Sequence, residues 1–374
     1  MGQLLFTGKK WMNENISAMG EIKLMKGNEA FAEAAIRSGC DAYFGYPITP
    51  QSEVMEYLAY QEPHKRTGMV LLQAESEVAA INMVYGAAGT GKRVMTSSSS
   101  PGISLMQEGI SYMAGSELPC LIMNVMRGGP GLGTIQPSQS DYFQTVKGGG
   151  HGDYRMIALA PASVQEMSDF VKLGFELAFK YRNPVIILSD GIIGQMMEKV
   201  ELFPQQPRLT EFDQSWATTG KPPGRQRNII TSLNLDPAKH EKHNEKLQEK
   251  YHRMCEHEVR FEKIGCDDAE YLIVAYGSCA RISLKAIKLA REKGIKVGLL
   301  RLITLYPFPS VEIGNLAGKI KGILTVELSA GQMIEDVRLA VDGRVKVTLH
   351  NRMGGMVPTP EDVFHALVKS FSIG

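Results

Sequence analysis

The sequence lacks long apolar runs and has no excess of charge of one sign. None of its apolar stretches approaches the roughly 20 residues that a helix needs to cross a bilayer. Its first 20 residues include Lys9 and Lys10 but no long apolar core, so they do not fit a signal peptide. The formal net charge is only +1, which makes nucleic acid and anionic membranes poor candidates for partners. We therefore expect a cytoplasmic protein.

Closely spaced cysteines are also missing. The sequence has five cysteines, an odd number, and none of them belongs to a C-x-x-C pair: Cys40, Cys120, Cys255, Cys266 and Cys279. Zinc sites and iron–sulfur clusters are usually built on such pairs. We therefore expect that this chain itself holds no metal, and we interpret its cysteines as reduced thiols.

What the sequence does contain is an alternation of β-type apolar runs with helix-type patterns. The clearest helix is predicted at residues 163–181, where Ser163 and Glu166 form a capping-box signature. Such an alternation predicts a doubly wound α/β fold with mostly parallel sheets. Strands are predicted at residues 69–73, 93–97, 120–125, 156–160 and 184–189, and again at 271–276, 297–300, 322–326 and 345–349.

The length of 374 residues predicts two such units, because a single core rarely grows so large. We expect an N-terminal extension at 1–20, a first α/β unit at 21–200, a linker with a bridging helix at 201–267, and a second α/β unit at 268–374. The linker is inferred from the many prolines and glutamines of residues 201–237. The bridging helix is inferred from the charged residues 238–263.

Two segments imitate phosphate-binding motifs. Residues 86–92, G-A-A-G-T-G-K, match most of a P-loop, but Arg93 replaces the Ser or Thr that holds Mg²⁺. A helix-type run also precedes these glycines, so we interpret them as a helix-ending turn. Ser189-Asp190-Gly191 is similar to the start of the G-D-G…N-N motif that binds Mg²⁺-diphosphate. Its first glycine and the asparagine pair are absent, which favours a simple turn after a strand.

The segment Tyr46-Pro47-Ile48-Thr49-Pro50 is the first candidate for a binding site. The two prolines stiffen the backbone, and a helix predicted at 51–60 follows, so Thr49 can face an anion near a helix N-terminus. Considered alone, Thr49 would more simply be a helix N-cap.

Two carboxylates, Glu75 and Glu77, open the next predicted helix. Acidic residues in a first helical turn often do no more than stabilise the helix dipole, and their spacing does not reject that interpretation.

Arg127 and the glycine-rich residues 128–133 follow the strand predicted at 120–125. Loops at the carboxyl ends of parallel strands are where ligands bind in such folds. An arginine there provides a fixed positive charge for a carboxylate or phosphate. A flexible loop with a surface arginine is the plain alternative.

These segments share an order along the chain. They read Y-P-I-T-P at 46–50, E-S-E-V-A-A-I-N at 75–82, T-S-S-S-S-P-G at 96–102, R-G-G-P-G at 127–131, L-R-L-I-T-L-Y-P-F-P at 300–309 and V-E-L-S-A-G-Q-M at 326–333. Together they resemble the α subunit of thiamine-diphosphate-dependent 2-oxoacid:ferredoxin oxidoreductases. The resemblance implies a domain that binds the thiamine aminopyrimidine ring, followed by a domain like the transketolase C-terminal domain.

The resemblance also implies an enzyme that is active only as a complex. A β subunit would hold the diphosphate and Mg²⁺, and γ or ferredoxin-like δ subunits would complete the assembly. Iron–sulfur clusters would lie on these partners. Ferredoxin would accept the electrons and coenzyme A the acyl group. These implications agree with the incomplete G-D-G motif and the absence of C-x-x-C pairs.

The resemblance assigns roles to individual residues. Glu77, rather than Glu75, matches the glutamate that binds N1′ of the aminopyrimidine and drives the acid–base chemistry of the cofactor. Thr49 and Arg127 match residues that bind the substrate carboxylate. Tyr46 and Pro47 are expected to border the cofactor.

The substrate is less clear from the sequence. Relatives that act on 2-oxoglutarate usually read G-G-P-S-T-G after the arginine, whereas this chain has Gly131 and Leu132 in place of the Ser and Thr. The apolar loop favours 2-oxoisovalerate as substrate, with 2-oxoglutarate as the alternative. A non-catalytic assembly subunit and a self-sufficient transketolase-like enzyme are alternative functions.

Overall fold

The structure analysed is a computed structural model that describes residues 20–208, 215–221 and 223–373. The extension predicted at 1–20 therefore lies outside the described residues except for Gly20. Within the described residues the strands are β1 (Glu21–Lys26), β2 (Ala42–Gly45), β3 (Val70–Gln73), β4 (Val94–Ser98), β5 (Cys120–Met126), β6 (Ile157–Leu159), β7 (Pro184–Asp190), β8 (Met197–Leu202), β9 (Phe261–Ile264), β10 (Tyr271–Tyr276), β11 (Val297–Leu302), β12 (Thr304–Tyr306), β13 (Gly322–Glu327) and β14 (Lys346–Asn351).

Helices connect most of these strands. They are α1 (Gly27–Arg37), α2 (Ser52–Gln61), α3 (Pro63–Arg66), α4 (Glu77–Ala88), α5 (Ser100–Gly115), α6 (Tyr142–Val146), α7 (Val164–Tyr181), α8 (Gly191–Gln195), α9 (Pro237–His257), α10 (Gly277–Glu292), α11 (Ser310–Ala317), α12 (Met333–Val341) and α13 (Pro360–Phe371). No helix in the described part of the chain is long and apolar enough to span a membrane.

The larger sheet is formed mainly by the first half of the chain. Its strand order is β12–β6–β7–β5–β4–β2–β3, and all neighbours are parallel except β12, which pairs antiparallel with β6. The central strands β4, β5 and β7 are buried along their whole length. Continuous burial explains why, apart from Asn124 and Asp190, these strands consist of apolar or small residues, since both faces of a parallel sheet are covered by helices.

The second sheet has the order β14–β13–β10–β11–β9, with only β9 antiparallel to its neighbour. A short antiparallel ribbon of β1 and β8 lies apart from both sheets. Two mostly parallel sheets connected through helices confirm the predicted α/β fold class.

Strands predicted from apolar runs agree with the structure to within a few residues. Five strands were not predicted, because they carry few buried apolar side chains or are very short: β1, β2, β8, β9 and β12. The helix expected across 238–263 was wrong at its end, because α9 stops at His257 and β9 joins the second sheet. Nor is α9 wholly exposed, since Leu247, Tyr251 and Met254 are buried against the first unit.

Local signals are confirmed in part. The Ser163 hydroxyl accepts a hydrogen bond from the backbone N–H of Glu166 at the start of α7. The Glu166 carboxylate, however, accepts from the N–H of Ala162 (2.7 Å) instead of completing the capping box. The residues that imitate a P-loop end α4, where Gly91 has a φ of +76°, as expected of a helix-ending turn.

The two sheets are fastened together near the carboxyl ends of β5 and β7. Asp190 was expected in a simple turn, but its carboxylate instead caps the short helix α8. The same carboxylate also accepts a hydrogen bond from the N–H of Ser278 at the start of α10 (3.1 Å). The buried Gln139 side chain donates to the carbonyl of Tyr276 (3.0 Å) and accepts from the N–H of Leu328 (3.1 Å). These bonds fix the edge of the first sheet against the second.

Candidate active site

Four adjacent strands of the larger sheet end at the same edge, and the loop after each one carries residues singled out in the sequence. In the order β5–β4–β2–β3, these loops bring Arg127, Ser100, Thr49 and Glu77 to that edge. Carboxyl ends of parallel strands are where ligands bind in doubly wound folds. Four segments that are far apart in sequence thus border one region.

The loop after β2 is held from several sides. The Gln51 amide donates to the carbonyl of Tyr46 (3.2 Å) and accepts from the Ser97 hydroxyl (2.6 Å). The carbonyl of Pro50 accepts from the side chains of Asn28 (2.8 Å) and Gln195 (3.0 Å). Because the loop is anchored at both ends, the exposed side chain of Thr49 is presented from a fixed backbone.

Tyr46 and Pro47 lie on this same loop. Tyr46 is half-buried, whereas Pro47 is exposed and lines a recess of about 390 Å³ between α2 and β3. Arg127 does not line this recess. A role for either residue in binding the cofactor stays a prediction.

Glu77 is the first residue of α4, and its backbone is set by the N-cap Ser76, whose hydroxyl accepts from the N–H of Ala79 (3.2 Å). Only 6% of Glu77 is exposed, whereas Glu75 is exposed. No hydrogen bond reaches the Glu77 carboxylate from any described residue. The side chain is thus packed into the protein while its carboxylate has no protein partner, which leaves the carboxylate available to a ligand.

Gly102 lets Glu77 occupy this position. A Cβ atom placed on Gly102 would lie 2.7 Å from Oε1 of Glu77 and 2.1 Å from the hydroxyl oxygen of Ser98. Only glycine therefore allows the start of α5 to pass so close to the carboxylate.

Arg127 is almost fully buried, and backbone carbonyls orient its guanidinium group. Nη1 donates to the carbonyl of Thr49 (3.0 Å) and Nη2 to the carbonyl of Leu132 (3.2 Å). The structure thus brings Arg127 and Thr49 together, as their predicted common role requires. Since a guanidinium carries five N–H groups, three remain for a ligand.

Several buried polar atoms at this edge have no hydrogen-bond partner among the described residues. They include the hydroxyls of Ser98 and Ser99, Oδ1 of Asn124 and Nε of Arg127. Native proteins rarely bury such atoms unsatisfied, so ordered water or a bound group would be expected to complete their hydrogen bonds. The unpartnered carboxylate of Glu77 and the neighbouring hydroxyls fit the donors and acceptors of an aminopyrimidine ring.

A cleft of about 500 Å³ opens beside Arg127, between the two sheets. Ser100, Arg127 and Asp141 line it from the first unit, and Gln332 and Met353 from the second. Arg127 therefore lies where a small substrate can reach it, with walls supplied by both units.

The sequence analysis missed Asp141, which hydrogen bonds to Ser100 and Asn124 within the cleft wall. No local pattern marks this aspartate, because its partners come from two other strand ends. Ser100 belongs to a recognised motif, but nothing in the sequence indicates its contact with Arg127.

Comparison with known protein families identifies the chain. A family model described as pyruvate flavodoxin/ferredoxin oxidoreductase, thiamine diP-binding, matches residues 33–263. A second, described as pyruvate:ferredoxin oxidoreductase core domain II, matches residues 269–363. Together these matches define the class of the protein as a thiamine-diphosphate-binding oxidoreductase.

Individual relatives agree with that class. The ketoisovalerate oxidoreductase subunit VorB of Methanothermobacter thermautotrophicus is 52% identical over 345 residues, which cover 92% of this chain and 97% of that protein. The 2-oxoglutarate synthase subunit KorA of Methanothermobacter marburgensis is 36% identical over 380 residues, covering 94% of this chain and 99% of that one. The chain belongs to the 2-oxoacid:ferredoxin oxidoreductases, as an α-type subunit of a multi-subunit enzyme, which confirms the resemblance seen in its motifs.

Solved structures show the same fold. The 2-oxoglutarate:ferredoxin oxidoreductase of Magnetococcus marinus, determined with 2-oxoglutarate, coenzyme A and succinyl-CoA bound, superposes with a TM-score of 0.83 at 30% identity. The match covers 94% of this chain but only 66% of that longer chain. A split-gene transketolase, an inactive β4 tetramer, superposes with a TM-score of 0.59 at 14% identity, covering 93% of this chain and 99% of that one, and shows the fold alone.

Proposed function

We propose that this subunit takes part in the oxidative decarboxylation of a branched-chain 2-oxoacid, 2-oxoisovalerate, to its acyl-CoA, with reduction of ferredoxin. The observation that carries the substrate assignment is the 52% identity to a ketoisovalerate oxidoreductase subunit over 97% of its length. The apolar Leu132, 82% exposed on the loop bound by Arg127, is in keeping with an apolar substrate tail.

Arg127 and Thr49 are the proposed ligands of the substrate carboxylate. A carboxylate oxygen would accept from the free N–H groups of Arg127, whose planar guanidinium suits such a group. The exposed Thr49 hydroxyl would add a second hydrogen bond from the neighbouring loop. The apolar tail would then extend into the cleft.

Glu77 is the proposed partner of the aminopyrimidine ring. When bound, thiamine diphosphate supplies the carbon nucleophile that attacks the keto group of the substrate. The Glu77 carboxylate would hold the ring by a hydrogen bond at N1′ and keep a proton there. Its burial supports this role, because a hydrogen bond in a water-poor site is stronger than one exposed to solvent.

The diphosphate, Mg²⁺ and iron–sulfur clusters are proposed to lie on partner subunits. Asp190 belongs to the segment that only partly matches a Mg²⁺-binding motif, and its buried carboxylate accepts from the N–H groups of Ile192, Ile193 and Ser278. These bonds give Asp190 a structural role. The other half of the cofactor site would therefore come from a β subunit, and γ- or δ-type subunits would carry electrons to ferredoxin.

The β subunit is proposed to dock on the surface formed by β3, α4 and α5. β3 is an edge strand of the larger sheet, and Glu77 begins α4. Apolar side chains are exposed across this surface: Val70, Leu72, Val78, Met83 and Leu105. A surface of this kind is usually covered by a protein partner, and a partner here would close the cofactor site over Glu77.

The test is to co-express the chain with β- and γ-type subunits, purify the complex anaerobically and follow viologen reduction with coenzyme A and a panel of 2-oxoacids. Thiamine-dependent reduction that is fastest with 2-oxoisovalerate is the expected result. A preference for 2-oxoglutarate or pyruvate would overturn the substrate assignment but keep the family chemistry. No reduction by a fully assembled complex would indicate an assembly subunit instead.

Cofactor titration provides a second test. Thiamine diphosphate should bind stoichiometrically to the assembled complex and only weakly to the isolated chain. Tight binding to the isolated chain would contradict a site shared between subunits.

A further inference from the structure

Asp141 lies in the wall of the cleft and collects hydrogen bonds from two other strand ends. Its Oδ2 accepts from the hydroxyl of Ser100 (2.6 Å), which begins α5, and from the amide of Asn124 (2.9 Å), within β5. Asn124 is completely buried. The carboxylate is therefore fixed by groups on both strands that lead to the Arg127 region.

The Ser100 hydroxyl carries this connection to Arg127. Its oxygen accepts a hydrogen bond from the backbone N–H of Arg127 (3.0 Å) while its proton points to Asp141. The hydroxyl also lies 3.3 Å from the carbonyl of Arg127, a second possible acceptor for its proton. A serine hydroxyl can donate only one hydrogen bond at a time. The shorter bond to Asp141 draws the proton away from that carbonyl and fixes the Ser100 side chain where its oxygen accepts from the N–H of Arg127.

Arg127 is held at both ends: its backbone N–H donates to Ser100, and its guanidinium group donates to backbone carbonyls. Arg127 is the first residue after β5, directly before Gly128 and Gly129. Its guanidinium is held by the carbonyls of Thr49 and Leu132. The Ser100 bond adds to the two other restraints on this backbone, which are β5 itself and the antiparallel bridge between Arg127 and Pro137.

Helix capping does not explain Asp141. It occupies the N-cap position of α6, but its carboxylate makes no hydrogen bond to that helix. Burial also raises the pKa of Asp141, against the opposing effect of Ser100 and Asn124. Carboxyl groups whose charge is disfavoured by desolvation are found in particular at functional sites.

We propose that Asp141 is a positioning residue for substrate binding, which acts through Ser100 to hold Arg127 in the orientation that receives the 2-oxoacid carboxylate. The inference rests on the proposed role of Arg127. Asp141 itself would contact neither the cofactor nor the substrate. Changing it should therefore affect the KM for the 2-oxoacid and not the KM for coenzyme A.

The experiment is steady-state kinetics of the assembled complex carrying Asp141→Ala, Ser100→Ala or both. Each single variant should raise the KM for the 2-oxoacid about tenfold, the effect of losing one hydrogen bond to a charged group. The kcat and the KM for coenzyme A should change by less than about twofold. The double variant should be no worse than either single one, because both changes break the same chain of contacts.

Two comparisons separate positioning from general damage. Asp141→Asn keeps an oxygen that can accept from Ser100 and should restore most of the 2-oxoacid KM. Ser111→Ala, on the same helix, removes only a bond to the carbonyl of His151 and should leave the KM unchanged. An equal rise in KM in Ser111→Ala, or a fall in kcat for Asp141→Ala with no change in KM, would overturn the proposal.

Arg127→Ala distinguishes the failure of this inference from the failure of the proposed function. If Arg127→Ala leaves the KM for the 2-oxoacid unchanged, the role of Arg127 itself is wrong. If Arg127→Ala raises it while Ser100→Ala does not, only the positioning role of Asp141 is wrong. Ser100→Ala keeps the test decisive even if Asp141→Ala fails to assemble.

Discussion

At the scale of single residues, the site depends on how closely the start of α5 approaches Glu77. Gly102 allows this approach, because any side chain there would contact both the Glu77 carboxylate and the Ser98 hydroxyl. The geometry explains a glycine directly after a proline in the first turn of a helix, where neither residue type is needed for the helix itself. The same close approach makes position 102 sensitive even to the addition of a single methyl group.

We expect Gly102→Ala to weaken thiamine diphosphate binding to the assembled complex by at least about tenfold. The added methyl group must displace the Glu77 carboxylate or the Ser98 hydroxyl, since real atoms do not approach to 2.1–2.7 Å. Isothermal titration with the cofactor is the measurement. Gly115→Ala, at the other end of α5, is the matched control, because its nearest neighbour would be 3.5 Å away. Equal affinities of the two variants would contradict this account.

Glu77→Ala should abolish turnover in the assembled complex and leave its folding intact. The carboxylate has no protein partner among the described residues, so its removal leaves no buried protein donor unsatisfied. Viologen reduction and circular dichroism together test both halves of the prediction. Activity close to that of the wild type would rule out Glu77 as the aminopyrimidine ligand, and Glu75→Ala would serve as the comparison.

Motif recognition predicted Thr49, Glu77 and Arg127 from short segments, and the fold brings their loops to one sheet edge. It did not predict that Arg127 would be held by carbonyls of Thr49 and Leu132, because such contacts depend on the register between loops. Asp141 was missed for the same reason. A short sequence segment indicates which backbone conformation its residues prefer. The contacts of Arg127 and Asp141 depend instead on which strands are neighbours in the sheet.

At the scale of secondary-structure elements, α9 is the clearest difference between sequence and structure. Its charged sequence suggested an exposed helix, yet one face is buried against the first unit. Lys250 lies on that face, 3% exposed, with its ammonium group 3.5 Å from the Glu117 carboxylate. Lys246 contacts the same carboxylate from the helix surface. A long lysine stem can bury its methylene groups while its charge finds a partner, which the charge pattern alone does not reveal.

The buried Lys250 makes a prediction about pH. Burial lowers the pKa of Lys250 from 10.5 to about 8, against the attraction of Glu117. Between these values the unfolded chain binds the proton and the folded chain does not, so folding stability rises with pH. The total gain is on the order of 3 kcal/mol across the interval. Below pH 8 the lysine is charged in both the folded and the unfolded state, so it does not make the free energy of unfolding depend on pH.

Urea unfolding of the wild type and Lys250→Met at pH 7, 8 and 9 tests whether Lys250 makes the folding stability rise with pH. The stability of the wild type relative to the variant should increase as the pH is raised. Lys242→Met, an exposed position on the same helix, should follow the wild type at every pH. Parallel curves for wild type and Lys250→Met would show that Lys250 stays protonated.

Apolar runs identified the central strands because strands covered on both faces need apolar or small side chains throughout. The same reasoning could not find β9 and β12. β9 is half-exposed at the edge of its sheet, and β12 has only three residues. Both pair with strands far away in sequence, so their stability comes from tertiary context.

At the scale of the whole molecule, the two sheets meet through hydrogen bonds rather than through a broad apolar contact alone. Gln139 is central to this junction. Its side chain satisfies one buried carbonyl and one buried N–H of the second unit, and its own carbonyl accepts from the Tyr276 hydroxyl (3.2 Å). Because the substrate cleft lies between the units, its shape depends on this junction.

Gln139→Ala should destabilise the chain by about 3 kcal/mol, since two buried backbone groups lose their partner. It should also impair substrate binding by loosening the cleft. The free energy of unfolding in urea is the measurement. Gln248→Ala, which loses a surface bond to the carbonyl of Asp153, should cost less than about 0.5 kcal/mol. Equal effects of the two changes would contradict the importance of the junction.

The predicted boundary near residue 268 stays a prediction, but the position of β12 has a consequence for any attempt to separate the halves. This strand follows β11 of the second sheet and yet completes the first, along the free edge of β6. After a protease cut between Phe203 and Asp236, the two fragments should therefore stay bound to each other and co-purify, because β12 of the C-terminal fragment pairs with β6 of the N-terminal fragment. Expressed alone, the N-terminal fragment would expose the unpaired edge of β6 and should therefore tend to self-associate.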